Sequence, residues 1–122
     1  MRADKRTLTL KQWPENIRTD PSSLDPFYER AEQMLEPTPY PADAPPLKKL
    51  QALQAQAKQL GVEQKFYRPP QTTRFVDGPN STGVQMKAST LSGQDSTGVN
   101  DGSKTTTLVT YLSDAWNWGA EL

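Results

Sequence analysis

The chain has 122 residues, a third of them hydrophobic, with eleven prolines and a mean hydropathy of −0.79, which is poor in core-forming material for a domain of this length. Fourteen basic and fourteen acidic side chains balance, so net charge gives no reason to expect nucleic acid or an anionic membrane as partner. There is neither cysteine nor histidine, which excludes disulfides, thiolate or imidazole metal ligands, and every catalytic dyad or triad built on an imidazole base. No apolar run reaches the length of a membrane span, and no signal-peptide core follows Met1.

The first eighteen residues carry Arg2, Lys5, Arg6, Lys11 and Arg18 against Asp4 and Glu15. Leu8 and Leu10 alternate with polar residues, which permits a short strand in an otherwise solvated arm over 1–22. From Ser23 to Leu35 the pattern changes to helical spacing. Leu24, Phe27, Tyr28, Ala31, Met34 and Leu35 share one face, Ser23 is placed to cap, and Pro26 falls in the tolerant first turn.

Prolines 37, 39, 41, 45 and 46 then make 36–46 an extended, stiff linker that lacks the backbone donors for helix or sheet. A second amphipathic helix follows over 46–60, with Leu47, Leu50, Leu53, Ala57 and Leu60 on one stripe and Gly61 as its stop. Lys48 and Lys49 read as a wet face. The proline linker is short enough that the two helices are expected to pack on each other or on one shared surface. Residues 62–67 and 73–76 can be short strands or extended segments, broken by Pro69 and Pro70.

Between Pro79 and Lys104, eighteen of twenty-six residues are Gly, Ser, Thr, Asn, Asp or Gln, which predicts a long mobile polar loop. Asn80-Ser81-Thr82 matches a glycosylation sequon by pattern alone. A last helix is expected from about Ser103 to Trp118, with Leu108, Leu112, Ala115 and Trp116 on one face and Gly119 as cap. Its threonines are mediocre helix formers, so tertiary packing has to hold it. Ala120-Glu121-Leu122 then reads as the beginning of a strand that is cut after three residues.

Three clusters could carry chemistry. Gly98, Asn100, Gly102, Ser103, Lys104 and Thr105 open the last helix; glycines before a helix N-terminus with a lysine suit an anionic ligand, but a plain turn and cap is the simpler reading. The spacing of a phosphate-cradling P-loop is not met: the glycines are one residue too close and Ser103 intervenes before Lys104. Asp95 and Asp101 form the nearest carboxylate pair, but the intervals do not fit a calcium loop, and turn aspartates are the simpler reading. Trp116, Trp118 and Tyr111 are either a stacking platform for a ring or packing residues whose partner surface is missing.

The run Gly-Val-Asn-Asp-Gly-Ser-Lys-Thr-Thr-Thr-Leu-Val-Thr-Tyr-Leu, 98–112, with its continuation Ser-Asp-Ala-Trp-Asn-Trp-Gly-Ala-Glu-Leu, 113–122, resembles a segment of the FAD-dependent glucose–methanol–choline (GMC) oxidoreductases. It is most similar to the cholesterol-oxidase-like branch. The helix Leu24-Asp-Pro-Phe-Tyr-Glu-Arg-Ala-Glu-Gln-Met-Leu35 resembles that family's helix at the start of the substrate-domain insertion, and Leu60-Gly61 fits its route into an extended stretch.

The resemblance implies an α+β fragment. Residues 1–22 are then an arm, 23–77 the helical part of the insertion, 78–103 a polar loop, and 104–122 the helix returning to an α/β flavin domain. It implies a parent enzyme that oxidises a CH–OH donor, an alcohol or sterol, by hydride transfer to FAD. The missing flavin-domain regions are then the packing partner, with no nucleic acid and no transmembrane segment expected. Asn100, Gly102 and Lys104 become candidate cofactor contacts. No catalytic residue and no metal ligand carries over, since the family's glycine fingerprint and catalytic histidine are absent, and Ser89, Ser92 and Ser96 stand where that branch often has cysteines. The isolated chain is expected to be colourless and inactive. The alternative is a small, non-enzymatic helical interaction module.

Overall fold

The computed structural model describes residues 2–94 and 97–121. The chain is α+β: helices α1 (Lys5–Leu8), α2 (Glu15–Thr19), α3 (Asp25–Leu35), α4 (Lys48–Gln59) and α5 (Ser113–Asn117) accompany two small antiparallel sheets. Strand β1 (Thr38–Pro39) pairs with β2 (Pro70–Gln71), and β3 (Gly78–Pro79) pairs with β4 (Gln85–Met86). Tight 3₁₀ turns occupy Pro21–Leu24 and Glu63–Lys65, and a π-wound turn, Leu108–Leu112, leads directly into α5.

In the arm, Leu8 ends a short helix and Leu10 lies in the bend after it, so the expected strand does not form. Asp4 accepts from the Arg6 N–H and caps α1, so Leu8 turns inward (1% exposed) while Leu10 stays outside. Ion pairs hold the arm on α3: Arg2 grips Glu32 through two nitrogens at 2.9 and 2.7 Å, and Lys5 reaches Asp25 at 2.9 Å. The Arg2 hydrogen bonds hold the Glu32 carboxyl below its usual range, and the Arg6 side chain lowers Asp4 to about 2.

Helix α3 begins at Asp25, one residue later than a Ser23 cap predicts. Asp20 caps the preceding 3₁₀ turn instead, and Ser23 donates back to the Asp20 carbonyl. At its other end Glu36 adopts a left-handed conformation (φ 45°), rare outside glycine, and its carboxylate ties Arg74 Nη1 (2.6 Å) and the Ser81 N–H (3.2 Å) to the helix end. The proline linker is extended, and β1 lies within it. Arg68 Nη1 donates to the carbonyls of Tyr40 and Pro41, fastening the linker to the segment after α4.

The two long helices take different partners. Helix α3 packs on the 3₁₀ turn before it and on the π-turn, whereas α4 packs on the turn that follows it. At Gly61 (φ 68°) the chain turns back, and Val62 and Phe66 lie beside the α4 stripe.

The segment from Pro79 to Lys104 differs most from its sequence expectation. It carries the β3–β4 hairpin and is crossed by hydrogen bonds: Lys87 N–H to Gly102 O, Ser89 N–H to Arg74 O, and Ala88 N–H to Asp77. Residues 103–105 lie extended beside 72–74, with Thr73 and Lys104 bridged antiparallel, so the last helix does not begin at Ser103. Among the described residues the buried hydrophobic side chains are Leu8 and Met86, while Thr73, Asn80, Ser103, Thr105 and Thr110 are buried polar ones. The interior is chiefly polar.

Candidate functional site

Asn80, the first residue of the sequon, is 6% exposed and is the hub of the polar interior. Its Oδ1 accepts from Thr82 N–H, Thr82 Oγ1 and Val84 N–H, each at 3.0 Å, which fixes the tight turn between β3 and β4. Its Nδ2 donates to the Val109 carbonyl at 2.6 Å, where Thr82 Oγ1 also donates at 3.0 Å. In the folded chain this amide is enclosed.

The π-turn supplies the other wall. Leu112 N–H reaches back five residues to Thr107 O, Thr110 Oγ1 donates to Thr106 O, and Ser113 Oγ donates to Leu108 O. β-Branched threonines that bond their own backbone favour this widened winding over a regular α-helix. Between hairpin and turn lies an open cleft of about 360 Å³, bounded by Thr82, Val84, Leu108, Leu112, Trp116 and Asn117. Asn117 Nδ2 donates across it to Thr82 O at 3.3 Å.

The glycine-rich run is built as a brace. Asp101 Oδ1 accepts from Ser103 N–H (3.0 Å) and Ser103 Oγ (2.6 Å), while Oδ2 accepts from Thr90 N–H and Oγ1. These bonds, the Ser103 hydroxyl first, hold the Asp101 carboxyl well below the ordinary range, so it has no proton to trade near neutrality. Gly102 (φ 83°) lets the chain pass Lys87, whose Cβ and Cγ lie 3.4 Å from where a glycine side chain would begin. Asn100 is exposed, and Lys104 is half-buried in its bridge to Thr73.

A dinucleotide pyrophosphate asks for free amides at a helix N-terminus. Here the Ser103 and Thr105 amides are bonded to Asp101 and to Thr72 O, and helical winding starts only at Leu108. Asp95 and Ser96 lie outside the described residues.

The aromatic residues are not gathered either. Tyr111 faces a cleft beside Arg30 and Met34, Trp116 borders the hairpin cleft, and Trp118 is 86% exposed. Among the described residues the one close ring pair is Tyr40 on Phe75, edge to face at 5.8 Å. No group of three acidic side chains that could hold a metal ion occurs among the described residues, and no helix there is long and apolar enough to cross a membrane.

The residues that do most at this site, Asn80, Thr110, Glu36 and Arg74, are ones the sequence reading passes over or assigns elsewhere. The signal was present only for Asn80, since Asn-Ser-Thr-Gly is also the pattern of an Asx-turn. No protein-family model matches the chain, and neither a curated protein nor a solved structure does.

Proposed function

We propose that this chain is an internal segment of an FAD-dependent oxidoreductase of the GMC type, which oxidises an alcohol or sterol CH–OH group by hydride transfer to the flavin. In this reading 23–77 belong to the substrate-domain insertion and 104–122 return to the flavin domain. The flavin, its glycine fingerprint and the catalytic base belong to parts of the parent other than these residues.

One observation carries the reading beyond the sequence resemblance. The run that bears the resemblance, 98–122, carries a helical face left open: Leu108, Leu112 and Trp116 are 64%, 40% and 63% exposed. A helix whose large apolar side chains face water is one whose covering layer is supplied by something else, and a flavin-domain sheet is the layer the resemblance offers.

The test is spectroscopic. The 122-residue protein, mixed with excess FAD and freed of unbound flavin, is expected to show no flavin absorbance and no hydride acceptance from alcohols or sterols. A protein extended on both sides by the parent's own sequence is expected to turn yellow. Stoichiometric flavin on the short chain, or a colourless extended protein, overturns the proposal.

A further inference from the structure

The α4 unit presents a second open apolar surface with a distinct electrostatic character. Leu50, Leu53 and Leu60 on the helix face Val62, Phe66 and Tyr67 on the returning chain, and between them runs a trough of about 390 Å³. Leu53, Leu60 and Tyr67 are 57%, 68% and 64% exposed, so the trough is lined but not filled.

Its rim is cationic. Lys65 stands in the wall, and Lys49 lies one helical turn before Leu53 on the same stripe. From Leu47 to Arg68 the chain has five basic side chains and one acid, Glu63. Arg68 is occupied with the Tyr40 and Pro41 carbonyls. Lys48, Lys49, Lys58 and Lys65 make no ion pair among the described residues, whereas Arg2, Lys5, Arg6, Arg74 and Lys87 all do. In a chain of zero net charge, Lys49 and Lys65 thus stand at the apolar trough without an ion-pair partner among the described residues.

We infer that this trough is a docking groove for an acidic amphipathic helix of a partner polypeptide, its apolar ridge seated between α4 and the 62–67 return and its carboxylates meeting Lys49 and Lys65. The shape selects a ridge over a flat surface. A groove flanked by a helix about 18 Å long accepts a helix of about three turns by ridge-into-groove packing, whereas a bilayer meets convex apolar faces. The charge selects acidic flanks, which steer encounter and fix orientation at the rim. This inference does not depend on the flavin reading, and flavin binding by an extended protein leaves its outcome unchanged.

A fluorescein-labelled synthetic helix with leucines on one face and glutamates on both flanks is the probe, titrated into the full 122-residue chain by anisotropy. Saturable binding is expected, weakening about tenfold in the double variant Lys49→Glu/Lys65→Glu and comparably in Leu53→Asp. The same helix with lysine flanks is expected not to bind. The substituted side chains are solvent-exposed, and circular dichroism of each variant checks that the fold is retained. Equal binding of both peptides, or binding untouched by the Lys49/Lys65 reversal, overturns the inference. Binding confined to phosphatidylserine vesicles, with neither peptide bound, assigns the trough to a lipid surface and overturns it as well.

Discussion

Asn80 shows how much one short side chain can hold. It satisfies two backbone amides in its own turn and a carbonyl on the π-turn, all in a place with little access for water. Asn80→Ala leaves those groups unpaired, and each unsatisfied buried group costs on the order of 1–3 kcal/mol. Part of the loss at Val109 O is offset by the remaining Thr82 hydroxyl. The expected net destabilisation is about 2–3 kcal/mol by urea unfolding. If Asn80→Ala unfolds at the parent's midpoint, the hub assignment is wrong. Glu36 is a second such residue, since its left-handed backbone ends α3 while its carboxylate reaches two separate loops.

At the scale of elements, the amphipathic helices were legible, because a 3.6-residue period survives whatever a helix later packs on. Helices α3 and α4 lie within two residues of their expected limits, with Pro26 in the first turn and Gly61 as the stop. Their partners were not legible, because periodicity names a face and not what meets it.

The 79–104 segment shows the opposite limit. Its scarcity of apolar side chains predicts mobility, yet Asp77, Asn80 and Asp101 anchor it through hydrogen bonds to backbone N–H groups. A composition rich in turn formers describes a loop and a braced polar core equally well. The candidate site was half-visible for the same reason: the glycine-rich run was found, but not that Asp101 would consume its donors. Native-state hydrogen exchange distinguishes the two descriptions. The amides of Lys87, Ser89 and Thr105 are expected to exchange more slowly than those in the middle of α4, one side of which is open to solvent. Faster exchange at those three positions than in α4 restores the mobile loop.

For the whole molecule, surface is the informative quantity. A folded monomer of 13.6 kDa is expected to expose about 6,600 Å², and this chain exposes 9209 Å². Less surface is therefore withdrawn from water on folding than its length allows. The denaturant slope m scales with that change, so urea unfolding is expected to be shallow, with m about a fifth below the value for compact domains of equal length. A steep transition would show that the chain buries its apolar faces in solution, by closing on itself or by self-association, and sedimentation velocity separates these two cases.

The bond from Asn80 to Val109 spans 29 residues, and this bears on how the chain is made. At roughly 5–20 residues per second, about 1.5–6 s separate the emergence of these two positions from a ribosome. For that interval the β3–β4 turn exists without its far acceptor, and Ser103 and Thr105, which fasten residues 72–74, are still being added. Helices α1 to α4 can form as they emerge, but the polar centre closes only once residues 103–110 have followed.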